Sequence, residues 1–204
     1  MNLNIPYMET DNKLLNDAYR IAAGDIVGNI VYYQNGLLTE EKPCMIAGLD
    51  YNTPWTRDTA INIWNALSIL SPEVSKNTLL AVLEEEEGNI YIGGQYWDSI
   101  IWMIGAREYC RFHKDDNFYR LAFEAGRNSV HRLEEGEFDE EDGLFRGPAV
   151  YGDGIAAYPD KYSKCPNQGS GILEWVDYPG NPVYPKGYGI PMKALSTNCV
   201  YFKA

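Results

Sequence analysis

Two histidines in 204 residues leave little room for chemistry that depends on imidazole. With only His113 and His131 present, neither a Ser-His-Asp arrangement nor a histidine metal cluster can be read from the chain. The four cysteines, Cys44, Cys110, Cys165 and Cys199, show no C-x-x-C spacing. That argues against a zinc site and for scattered reduced thiols, with one disulfide left open. G-x-S-x-G, a phosphate loop ending in G-K-[ST] and H-E-x-x-H are all missing. No apolar run approaches the roughly 18 residues of a spanning helix. The opening MNLNIPYMETDNKLLNDAYR lacks the basic-then-apolar order of a secretory signal. The expectation is a cytoplasmic protein with no metal, no cofactor and no membrane partner.

Basic residues are also scarce: 17 Lys and Arg face 29 Asp and Glu, a formal charge of −12. So acidic a surface repels nucleic acid. Much of the acid sits in two runs, Glu84 to Glu87 and Glu134 to Asp142, which read as solvated helix ends or loops. A neutral ligand rich in hydroxyls is compatible with this surface. Aromatics, by contrast, are plentiful, with 16 Tyr, 5 Trp and 6 Phe. An apolar share of 45% allows one sizeable core and excludes a disordered chain. The whole of 1–204 reads as a single domain.

Helical patterns recur along it. The first begins near Thr10 or Asp11, shows Leu14, Leu15, Ala18, Ile21 and Ala22 as its apolar face, and runs on toward Tyr33 before Asn35-Gly36 ends it. The second opens at Trp55 to Asp58 and carries Ile61, Trp64, Leu67 and Leu70. Ser71-Pro72 closes it and starts a third that reaches the glutamate run, through Val74, Thr78, Ala81 and Val82. A fourth spans about Asp98 to Phe112 and a fifth about Asp116 to Leu133, joined by His113 to Asp115. Such short turns make antiparallel helical hairpins. From Glu134 to Pro191 glycine and proline break any helical pattern, leaving room for a short β-hairpin around Gly171 to Tyr184, and a sixth helix begins near Met192. Tight turns at 71–72 and 113–115 alternate with long aromatic loops, which places the long loops on one face.

Three segments on that face have the composition of a sugar site. In Trp55-Thr56-Arg57-Asp58 the indole matches the C–H face of a pyranose, and Arg57 and Asp58 match vicinal hydroxyls. Gly93 to Ser99 repeats the plan with Tyr96, Trp97 and Asp98 at a helix start. In Gly143 to Gly154, Asp153 lies between two glycines beside Tyr151. An acid shielded by aromatics has a raised pKa and can protonate a glycosidic oxygen. Each segment also has an ordinary reading. Asp58 complements a helix dipole, Asp98 or Ser99 caps a helix, and Gly-Asp-Gly makes a turn.

The stretches PWTRDTAINIWNALSIL, YWDSIIWMIGAREYC, DGLFRGPAVYGDG and LSTNCVYFKA together resemble the six-hairpin glycosidases. The likeness is greatest to the branch of processing α-glucosidases, trehalases and glycogen-debranching enzymes, and it extends from about residue 10 to 204. It implies an all-α fold: antiparallel helical hairpins forming part of an (α/α)6 toroid. It also implies an inverting glycoside hydrolase acting on an α-linked gluco-oligosaccharide. Asp153 matches the family's general acid, and Trp55, Arg57, Asp58, Tyr96, Trp97, Asp98 and Tyr151 match its substrate-gripping positions. The family's late general base has no counterpart in the chain.

Twelve helices with their loops need about 350–400 residues by usual lengths. Three accounts of the shortfall stay open: the N-terminal half of a longer enzyme, a chain completed by a second chain, or a smaller domain built from the long loops. A half-toroid exposes apolar inner faces and so favours self-association. Two rivals to a hydrolase are a non-catalytic carbohydrate-binding or partner-binding remnant, and an epimerase using His113 or His131.

Overall fold

The computed structural model describes residues 5–94, 98–147 and 193–204. Among them the chain is mostly helical, with six helices and three two-stranded antiparallel pairs. Helix α1 is Lys13–Gly28. Helix α2 starts as Thr56–Asn62, passes through a π-helical stretch Ile63–Leu67, and ends as Ser68–Leu70. Helix α3 is Pro72–Ala81, α4 Asp98–His113, α5 Asp116–Glu137 and α6 Leu195–Lys203. No helix among the described residues is long and apolar enough to cross a membrane.

The two expected helical hairpins are present. Ser71 separates α2 from α3, with Pro72 at the first helical position, where its missing N–H costs nothing. Ser71 is not a side-chain cap. Instead its carbonyl accepts from the backbone N–H and the hydroxyl of Ser75. Between α4 and α5, Lys114 turns the chain at φ 47°, and the Asp115 carboxylate caps α5 by accepting from the Phe118 N–H at 3.0 Å. A core of Ile63, Leu67, Leu79, Leu83, Trp102 and Phe118 lies between these helices.

Four expectations change. The first helix stops at Gly28, and the β-branched and aromatic run Ile30–Tyr33 is instead strand β1, paired with β2, Lys42–Met45. Its cap is Asn12, whose carboxamide oxygen accepts from the N–H groups of Leu14 and Leu15. Its supposed apolar face is uncovered, with Leu14 79% and Ile21 66% exposed. Lastly, the run at Glu84 is neither helix nor loop. Strand β3, Leu83–Glu86, buries Leu83 and exposes its glutamates, then turns through Glu87 and Gly88 at positive φ into β4, Asn89–Ile92.

Helix side chains complete the small sheets. The Thr78 hydroxyl accepts from the Met45 N–H at 3.0 Å, the Ser129 hydroxyl accepts from Ile92 N–H at 2.9 Å, and the Asn128 amide donates to the Ile90 carbonyl at 3.1 Å. These bonds satisfy strand edges that would otherwise be buried unpaired. Gly36, at φ 60°, brings its Cα against the end of α3, where a Cβ would lie 2.6–2.7 Å from the carbonyl oxygens of Leu80, Ala81 and Leu83.

Candidate functional site

Helices α2 and α4 lie side by side and run parallel. At one end the His113 ring meets the Ser68 carbonyl. Midway, Gly105 abuts Ala60 so closely that a Cβ on Gly105 would sit 2.9 Å from the Ala60 Cα. At the other end their N-termini meet, and two sequence-predicted segments come together there. The Thr56 hydroxyl donates to the Gly93 carbonyl at 2.8 Å. Arg57 Nε lies 3.5 Å from Asp98 Oδ1.

Asp98 is fully buried and the Arg57 side chain is 15% exposed. A carboxylate taken out of water needs a cation or several donors, and Arg57 is the cation. At 3.5 Å the contact is more a Coulombic pair than a hydrogen bond. The geometry divides the labour. Asp98 lies wholly inside, and Arg57 beside it is the more exposed of the two. Asp58 is half-buried in the first turn of α2.

Gly94 explains why the loop can lie so close. Its φ of 111° belongs to the region that favours glycine, and a Cβ there would meet Asp98 Oδ2 at 2.6 Å and Thr56 Oγ1 at 2.7 Å. Trp55 is half-buried at the head of α2, and its ring meets Tyr51 edge-on, centroids 6.2 Å apart and planes at 79°. Tyr96, Trp97, Tyr151 and Asp153 lie outside the described residues, as does the expected hairpin at 171–184.

The same end of the molecule holds an acid that the sequence reading passed over. Glu137, the last residue of α5, is 3% exposed, and its Oε2 has no hydrogen-bond partner among the described residues. Burial pushes its carboxyl up to about 8, opposed by the nearby Arg146 guanidinium. It belongs to the acidic run assigned to solvent, most of which is exposed as expected. Helical spacing carried the missed signal: Ala125, Ser129, Leu133 and Glu137 recur every fourth residue, and Ala125 and Ser129 are buried.

Beyond Glu137 the chain forms a short hairpin, β5 Phe138–Asp139 with β6 Leu144–Phe145. Asp139 accepts from Lys193 at 2.7 Å and pairs with Arg146 at 2.9 Å. Its carboxyl is held down to about 2, chiefly by Lys193, then by the Glu141 N–H and Arg146. Asn198 on α6 accepts from the Phe145 N–H at 2.8 Å and donates to the Phe145 carbonyl at 3.0 Å. Phe145 stacks on Tyr201 at 3.7 Å. Gly147 and Lys193 form a parallel bridge. The two chain ends that flank residues 148–192 are thus bound to each other, at the C-terminal end of α5.

No protein-family model, curated protein or solved structure matches the chain.

Proposed function

We propose that the chain is a glycoside hydrolase acting on an α-linked gluco-oligosaccharide with inversion of configuration. What chiefly supports this is the meeting of two aromatic-and-acid segments at one end of a parallel helix pair, through Thr56 and Gly93 and through Arg57 and Asp98. Trp55, with Tyr51 set edge-on against it, offers an aromatic wall for a sugar ring, and Arg57, steadied by Asp98, offers donors to its hydroxyls. Asp153 is proposed as the general acid, with Tyr96, Trp97 and Tyr151 as further walls, on the strength of their sequence pattern. In an inverting reaction the acid protonates the leaving oxygen while a second carboxylate, about 6.5–9.5 Å away, activates water. That second carboxylate is not assigned within the chain, and a longer or second chain completing a toroid would provide it.

A second reading, a carbohydrate-binding module without turnover, is favoured by the burial of Asp98, which suits it to positioning and not to activating water. Calorimetry with malto-oligosaccharides, run beside a reducing-sugar assay of wild type and Asp153→Asn, tests both. Binding with sugar release that Asp153→Asn abolishes supports the hydrolase. Binding without release supports the module, and absence of binding overturns both.

A further inference from the structure

Helices α4 and α5 leave an open apolar groove of about 440 Å³ along one side of their pair. On α5 its wall includes Tyr119, Phe123 and Arg127, spaced every fourth residue. On α4 it includes Met103, Ala106 and Arg107. Tyr119 is 58% and Phe123 62% exposed, an uncommon state for two aromatics on one stripe. Between these walls the lining includes the small residues Ala122 and Gly126. At Gly126 the helices are so close that a Cβ would sit 2.8 Å from Met103 Sδ. The stripe from Tyr119 to Val130 rises about 16 Å, roughly three helical turns. A two-helix edge of this shape accepts the apolar ridge of a third helix.

Charge narrows the occupant. Exposed Arg107 and Arg127 flank the groove, one from each helix, and neither has a hydrogen bond or ion pair among the described residues. Arg111 is engaged with Glu108 and Arg132 with Glu86, while the exposed Lys114 and Arg120, whose side chains also have no hydrogen bond or ion pair among the described residues, lie outside the groove lining. In a chain of net charge −12, two unpaired arginines beside apolar surface are a local reversal of sign. A second copy packed groove to groove would bring these arginines toward their own equivalents, a like-charge contact. We propose that the groove docks an amphipathic helix of about three turns from a partner protein. Its apolar stripe fills the groove, and carboxylates flanking that stripe pair with Arg107 and Arg127.

The test uses the full chain and two fluorescent synthetic helical peptides, each with leucines on one face. One carries glutamates on both flanks, the other lysines. At low salt the glutamate peptide is expected to bind at least about tenfold tighter by anisotropy, the sum of two rim pairs gained against two repulsions. The double variant Arg107→Glu/Arg127→Glu should reverse the order of the peptides, and Phe123→Asp should weaken both. All three positions are exposed, and circular dichroism verifies that each variant stays folded. Equal binding of the two peptides, or no binding of the glutamate peptide, overturns the proposal. So does a wild-type dimer in sedimentation that Phe123→Asp disperses, since the groove then belongs to a second copy.

Discussion

Arg57 and Asp98 join the N-termini of two parallel helices through one buried ion pair, Nε to Oδ1 at 3.5 Å. Removing one partner strands the other. Asp98→Leu should cost about 3 kcal/mol in urea unfolding, because the mostly buried Arg57 side chain loses the carboxylate that faces it at 3.5 Å. Arg57→Met/Asp98→Leu should recover a good part of that loss. A double-variant loss equal to the sum of the Arg57→Met and Asp98→Leu losses would show that the pair is not coupled.

Gly94 should tolerate no side chain. Gly94→Ala combines a left-handed φ with a Cβ 2.6 Å from the Asp98 carboxylate, and should cost more than about 2 kcal/mol. Gly88→Ala is the control. Its φ is 81° but open space surrounds it, so only the backbone term of about 1 kcal/mol is expected. Similar losses at both positions would mean that the close approach at Gly94 contributes nothing.

Glu137 makes stability depend on pH in a direction opposite to that of a paired carboxylate. Its folded pKa, about 8, exceeds its ordinary 4.5, so between those values the folded chain holds a proton that the unfolded chain has lost. Stability from this group is therefore full below about pH 4.5 and falls as pH rises toward 8, by up to about 1.4 kcal/mol per unit. Asp139 and Asp115, whose pKa values are lowered, act in the reverse sense at acid pH. The measurement is thus a difference between wild type and Glu137→Gln, by urea unfolding from pH 5 to 8. The variant should lose less stability across that range, and parallel curves would refute the assignment.

How much of this was legible beforehand follows from what each signal encodes. The hairpins at 71–72 and 113–115 were readable because Pro72 marks a helix start and because only a few residues separate the helical patterns on either side of 113–115. The meeting of the segments at Thr56 and Asp98 followed from counting long loops against short turns. Strands β1 and β3 were hidden because each directly follows a helical pattern and is only four residues long. Periodicity also says which residues share a face and nothing about what covers it. Leu14 and Ile21 on α1 therefore read as core and are exposed, whereas Glu137 read as surface and is buried.

Asn198 imitates a strand partner for Phe145, giving and taking one bond through its amide. Asn198→Ala should cost about 1–2 kcal/mol and speed hydrogen exchange at the Phe145 amide, while exchange in α2 is unchanged. An unaltered rate at Phe145 would refute the clamp.

That clamp has an evolutionary corollary. Because Asp139, Phe145 and Gly147 are fastened to Lys193 and Asn198, the α5–α6 scaffold fixes the separation of the two points between which residues 148–192 run. A change in the number of residues between those two points leaves the bonds of Phe145 and Asn198 as they are, so chain length there and packing among the helices answer to separate selection.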